Sequence, residues 1–427
     1  TENTMKRKFH LFLPALFLLT ASLCGCGGEE NSSPSNGEIF SDGENFSSPT
    51  SGPVELTVWG AAEDEELLNR ILDEFQEKYR GEADFRITYE PQSESHCTDA
   101  LIADLENGAD VFAFADDQLN TLVASGALDP VENAEALRAA NLPEAVSAAC
   151  VNDTLYAYPL TADNGYFLYY NKEYFSPEDI LSWDRMLDIA GDSGRKVSME
   201  WSSGWYVYAL FGNTGLTLGL NDDGITNYCT WNDTEGDIKG TDVAKAMTTM
   251  ARHPGFLSTD DAGFVEGVKN GSIVAGISGV WNAVTVEEAW GDAFGAAKLP
   301  SYACAGQQVQ MASFSGYKLI GVNAYSPHRD WAARLAEWIT SEENQELRFE
   351  MRGQGPSNKK TAASREVQAS PAIAALLEQS EYSCLQRIGG NFWEPVTNFT
   401  EEILAGNPSG KSLQELLDTM VAGIIAP

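Results

Sequence analysis

The sequence predicts an α/β fold. Short runs of alternating apolar residues recur along the chain, and most are followed by apolar residues at helical spacing. The length, 427 residues with 43% hydrophobic content, is enough for two domains. The first strand is Val54-Glu55-Leu56-Thr57-Val58-Trp59, which alternates and stops at Gly60. The acidic run Glu63-Asp64-Glu65-Glu66 then opens a helix, where negative charge complements the positive helix end. Leu67, Leu68, Ile71, Leu72 and Phe75 line one face of it. Phe85–Tyr89 is the next strand and Asp110–Ala115 a later one, ending at Asp116-Asp117-Gln118. Tyr166–Tyr170 is β-prone, and Phe264–Gly271 reads as a short helix before the strand Ile273–Ile277. Trp331, Leu335, Trp338 and Ile339 form a helical stripe, with both tryptophans assigned to core, as do Leu413, Leu416, Leu417, Met420 and Val421. No internal Pro- and Ser-rich linker separates two halves, so the chain is expected to pass between domains more than once.

Before the first strand the chain has a different character. Met5-Lys6-Arg7-Lys8 is a cationic start, His10–Leu19 is apolar but too short to span a bilayer comfortably, and Leu23-Cys24-Gly25-Cys26 follows. These are the parts of a secretory signal. The ending on cysteine resembles the bacterial lipobox, with Cys26, preceded by Gly25, as the lipidated residue. Residues 27–53 are almost all Gly, Ser, Asn, Pro and Glu, a composition that cannot bury enough surface to offset ordering entropy and is expected to act as a flexible tether. The expectation is a protein anchored by lipid outside a bacterial membrane.

Charge narrows the partners. With 27 Lys+Arg against 63 Asp+Glu, the formal net charge is −36. Nucleic acid and anionic lipid headgroups are poor partners for such a surface, whereas neutral ligands are not repelled.

Signals of catalysis are weak. Histidine occurs four times, at His10, His96, His253 and His328. No HExxH, GxSxG, Walker or GxGxxG motif is present, so no catalytic residue, metal or cofactor is assigned. Paired carboxylates of the glycosidase type remain an alternative, although so many acids produce pairs by chance. After Cys26 the cysteines are Cys97, Cys150, Cys229, Cys304 and Cys384, with no CxxC spacing. Cys229 and Cys304 lie in loop-like contexts and are the candidates for a bridge. Sequence does not fix the connectivity, and the odd count leaves at least one thiol free.

The aromatic residues carry the stronger reading. Trp59-Gly60 sits at a strand's carboxyl end before a helix, where α/β sheets place ligands. Phe114 repeats this arrangement, with Asp116-Asp117-Gln118 close behind it. Trp201-Ser202-Ser203-Gly204-Trp205, Gly279-Val280-Trp281-Asn282 and Gly389-Gly390-Asn391-Phe392-Trp393 set tryptophan beside Gly or Ser. An aromatic plate with carboxylates at its margin suits a sugar ring, whose apolar face stacks while its hydroxyls need partners. Core packing is an equal alternative for any one of these tryptophans, and Glu63 or Asp117 taken alone reads as a cap or a solvated group.

Several segments resemble the extracellular solute-binding proteins of the maltodextrin-binding family, the lipid-anchored receptors of bacterial sugar-import ABC transporters. They are Leu56–Gly60, Ala109–Leu119, Leu155–Leu160, Tyr169–Lys172, Gly276–Trp281 and Asn391–Trp393. The resemblance runs from about Val54 to the C-terminus. It implies ligand-binding roles for Trp59, Glu63, Phe114, Asp117, Gln118, Asp163, Trp205, Trp281 and Trp393. Gln118 and Thr397 stand where well-known members have arginine, Asp64 where they have lysine, and Ser203 where that branch has an acid. The aromatic floor is thus kept better than the hydroxyl partners.

The implied fold is a two-lobe periplasmic-binding-protein fold of type II with a hinge crossed about three times. The expected segments are a signal at 1–25, a tether at 26–53, one lobe at 54–162 and 313–352, and the other at 163–312 and 353–427. The implied function is capture of maltose or malto-oligosaccharides by a monomer at the extracellular face of the cytoplasmic membrane, by hinge closure, with delivery to permease subunits. Alternatives are a receptor for another oligosaccharide or a non-sugar solute, a surface glycoside hydrolase, and an adhesin.

Overall fold

The strand β1, Val54–Gly60, forms because every second residue (Val54, Leu56, Val58) faces the interior. The structure, a computed structural model, describes residues 52–427. The expected signal, Cys26 and nearly all of the tether lie outside the described residues. After β1 come β2 (Phe85–Pro91), β3 (Val111–Ala115), β4 (Tyr158–Asn171), β5 (Lys196–Ser198), β6 (Phe256–Leu257), β7 (Ile273–Gly279), β8 (Phe294–Ala297), β9 (Ser313–Val322) and β10 (Ser383–Leu385). They form one ten-stranded sheet in the order β6-β5-β7-β4-β9-β3-β1-β2, with β8 added to β4 and β10 to β9. β1 runs parallel to β2 and β3, and β5 parallel to β6 and β7. β4 and β9 lie antiparallel between these two parallel groups.

The side chains separate into cores on either side of that central pair. Val58, Ile71, Phe75, Phe112 and Leu335 belong to one. Trp183, Val207, Phe211, Trp231, Phe399 and Leu417 belong to another, flanked by a smaller cluster around Phe167, Tyr169 and Phe264. β4 contributes Leu160 to the first core and Leu168 to the second, while β9 contributes Leu319 to the first and Phe314 to the second. The third passage follows the helix Glu342–Arg352. Leu347 and Met351 pack on the first core, and Ala372 and Ala375 join the smaller cluster beside the second. The fold is therefore a mixed α/β protein of two lobes joined by three crossings. Gly316 stands at the crossing in β9, where a Cβ would lie 2.6 Å from Asp116 Oδ1, too close for any other residue without a shift.

The helices follow their apolar spacing. Glu65–Lys78 buries Leu67, Leu68, Ile71, Leu72 and Phe75, with Glu65 and Glu66 in its first turn and Lys78 in its last. Trp331 and Trp338 pack against the first core from Arg329–Ile339. The bridge expected between Cys229 and Cys304 does not form, since both thiols are free. The two residues lie on separate two-stranded ribbons, Cys229 opposite Leu218 and Cys304 opposite Gln307.

Candidate ligand site between the lobes

The carboxyl ends of β1, β2 and β3 in one lobe and of β7 in the other supply part of the site, and β4, β9 and the helix Glu342–Arg352 add Asp163, Lys318, Arg348 and Arg352. Trp59, on β1, is half-buried and donates from Nε1 to Glu90 Oε2 at 3.0 Å. The turn Ala62–Asp64 leaves Glu63 exposed and points Asp64 inward, where it pairs with Arg348 and, at 3.0 Å, with Arg352 Nε. Burial alone would raise the Asp64 carboxyl, but Arg348, Lys318 and Arg352 outweigh it and hold it below the usual aspartate range. Beside this group Lys318 Nζ meets Glu94 Oε2 at 2.5 Å, both side chains nearly covered. Burial would lower the lysine, yet Glu94 and Asp64 keep it above its ordinary value.

Asp163 stands in the crossing of β4, 6% exposed, and accepts the Gly355 N–H. Burial raises its carboxyl, against the opposing influence of Thr161 and Lys318. Thr161 is placed to hydrogen-bond the Asp163 carboxyl, while Glu94 Oε1 and Arg348 Nε are buried without a protein partner. Buried polar atoms are normally satisfied, so this cluster has hydrogen-bonding capacity left for something else.

From the second lobe, Trp281 follows β7 directly and is half-buried. Its Nε1–H donates to Asp261 Oδ2 at 2.9 Å, and Asp261 also accepts from Ser278 Oγ and Asn282 Nδ2. Lys318 Nζ lies 5.5 Å from the centre of the Trp281 ring. Trp205, in the helix Gly204–Phe211, is half-buried and stacks on Phe314 at 5.6 Å, with Tyr166 edge-on. Trp393 is half-buried against Phe392. Thr397 donates to the Ser202 carbonyl oxygen, which fastens the helix Trp393–Leu404 to the Trp201–Ser203 loop.

Two expected members are not available as drawn from the sequence. Phe114 is fully buried, tilted against Phe112, because β3 is covered on both faces. It is a core residue and not an open plate. The Gln118 side chain is already spent. Its Nε2 donates to the Glu94 carbonyl oxygen at 2.6 Å and its Oε1 accepts from Thr98, so it fixes the loop that carries Glu94. Asp117 accepts from Gln386 Nε2 at 2.8 Å. Burial, with Asp116 alongside, pushes its carboxyl up to about 7. Asp116 accepts the Tyr317 N–H at 2.8 Å and pairs with Arg387 at 2.7 Å. A cavity of about 560 Å³ adjoins that pair, lined also by Glu144 and Ser147, and none of the predicted tryptophans lines it.

The charged floor of Glu94, Lys318, Arg348 and Arg352 was missed from sequence, as was Asp261. Only Lys318 left a signal, as a cation directly before the apolar run Leu319–Val322. Among the described residues, no group of three or more His, Cys, Asp or Glu could hold a metal ion, and no helix is long and apolar enough to cross a membrane.

Against known proteins, residues 70–375 match the model of the bacterial extracellular solute-binding protein family. The galactooligosaccharide-binding protein of Bacillus subtilis (strain 168) is 26% identical over 415 residues, covering 94% of this chain and 91% of that one. A solved structure with acarbose is 29% identical, with a TM-score of 0.78 over 88% of this chain and 99% of that one. The maltodextrin-binding protein MalE1 from L. casei BL23, solved without ligand, shares the fold at 22% identity, with a TM-score of 0.71 over 88% of this chain and 100% of that one.

Proposed function

The chain belongs to the bacterial extracellular solute-binding proteins, a family of binding proteins and not of enzymes, and on that premise we propose that it is a receptor for a neutral oligosaccharide. The observation that carries this reading is the setting of Trp281. Its ring follows the carboxyl end of β7, its edge is fixed by Asp261, and it lies near a floor whose Glu94 Oε1 lacks a partner. A flat apolar face beside an unspent acceptor matches a sugar, which presents C–H bonds on one side and hydroxyl donors at its rim.

Trp59, Glu63, Asp117, Asp163, Trp205 and Trp393 extend this surface across both lobes. A ligand touching both lobes favours the closed arrangement, because the second set of contacts exists only there. The loaded receptor then delivers its sugar to permease subunits of an ABC transporter. Lipid attached at Cys26, with the tether, keeps the monomer close to that partner at the extracellular face of the membrane.

Malto-oligosaccharides are the first candidates, since the tryptophan positions resemble the maltodextrin branch. Galacto-oligosaccharides are the second, favoured by the relative from Bacillus subtilis. A thermal-shift and calorimetry panel tests both, using maltose, maltotriose, longer maltodextrins, galactotriose, xylotriose and a peptide mixture. A ligand at a hundred times its dissociation constant adds about 2.7 kcal/mol, a visible rise in the midpoint. A rise with one neutral sugar series supports the reading, and a flat response to every sugar overturns it.

A further inference from the structure

Trp281 is held from both lobes. Within its own lobe Asp261 takes the indole N–H. From the other lobe Arg352, the last residue of the helix Glu342–Arg352, donates from Nη2 to the Trp281 carbonyl oxygen at 3.2 Å. Arg352 is itself fixed, since its Nε donates to Asp64 Oδ1 at 3.0 Å, and Asp64 is paired a second time by Arg348 one turn earlier on the same helix. The helix stops at Gly353, whose φ of +66° allows the chain to turn away at once. A Cβ there would lie 3.5 Å from Val284 and 3.9 Å from Ala283, just beyond Trp281 in sequence. One lobe's helix end thus abuts the other lobe's aromatic residue.

We propose that Arg352 couples closure of the lobes to the position of Trp281, as a positioning residue for the ligand. The ligand half of this statement rests on the receptor reading above, while the closure half does not. Arg352 moves with Asp64 and Arg348, so parting the lobes removes the donor from the Trp281 carbonyl. Closing them returns it and fixes the backbone that carries the indole. A planar guanidinium suits this task, because one edge serves Asp64 while another nitrogen reaches the carbonyl. Lysine in its place keeps a cation beside Asp64 without that two-sided geometry.

The test compares the full chain with Arg352→Lys and with the double variant Asp64→Asn/Arg352→Gln, which leaves no lone buried carboxylate. Small-angle scattering without ligand measures lobe separation, and stopped-flow binding of maltotriose and galactotriose measures association and dissociation rates. We expect both variants to be more open than wild type without ligand. Sugar should bind about tenfold more weakly, mainly through faster dissociation, with the Arg352→Lys midpoint near that of wild type. Unchanged ligand-free scattering overturns the coupling, whatever happens to affinity. If no sugar binds wild type the receptor reading fails, and the ligand-free scattering still decides the role of Arg352.

Discussion

Asp261 accepts the indole N–H of Trp281 at 2.9 Å, across twenty residues of sequence and from the first turn of the helix Asp261–Asn270, which precedes β7. With Ser278 and Asn282 donating to the same carboxylate, the ring edge is fixed before any ligand arrives. Pre-organisation of this kind lowers the cost of ordering a contact on binding.

Asp261→Ala should therefore weaken sugar binding by about tenfold or more, the worth of one hydrogen bond to a charged group. Trp281→Ala should cost about thirtyfold or more, as loss of a central aromatic anchor does. Titration calorimetry checks both. Equal affinities in wild type and Trp281→Ala would remove Trp281 from the site.

Lys318 and Glu94 are about 10% exposed, and removing one partner strands the other. Lys318→Met should lower unfolding free energy by about 3–5 kcal/mol in urea titrations, with much of the loss recovered when Glu94→Gln is added. Failure of the second change to recover stability would show that Lys318 acts by packing and not by charge.

Asp117 gives a pH signature whose sign is fixed by its raised carboxyl. The folded state keeps its proton up to about 7, whereas the unfolded chain releases it near the ordinary value of 3.8. Stability from this group is full below that ordinary value and is lost as pH rises to about 7. Asp117→Asn should thus gain on wild type from about pH 4 upward and level off above neutrality, by about 4 kcal/mol in all. Parallel melting-temperature curves across that range would contradict the raised carboxyl.

Phe114→Ala should cost about 3–5 kcal/mol of stability, the usual loss for a buried phenylalanine. The affinity of the folded protein should be unchanged. A large loss of sugar binding at unchanged stability would return Phe114 to the ligand surface.

Strand and helix positions were legible because their signals are local. Val54–Trp59 alternates, Glu65–Lys78 has its apolar stripe, and both survive as written. Phe114 was misread because an aromatic at a strand's carboxyl end looks the same in sequence whether the strand's second face is open or covered. The charged floor escaped for a different reason. Asp64 meets Arg348 across 284 residues, and no spacing rule connects them. Asp64 reads in sequence as part of an acidic helix start and as a departure from lysine, whereas its carboxylate is committed to two arginines. Cys229 and Cys304 show the same limit, since similar loop contexts did not imply neighbouring ribbons.

The passage of β4 and β9 through both cores also sets the order in which the protein can be finished as it is made. The first core lacks Leu319 and Ile339 until synthesis has passed most of the chain, and the second lacks Leu417 and Ile424 until nearly its end. The first lobe cannot complete itself until most of the second has been supplied, and the second waits for nearly the whole chain. A polypeptide whose cores both close late in synthesis is suited to crossing a membrane as an unfolded thread and acquiring its shape on the far side.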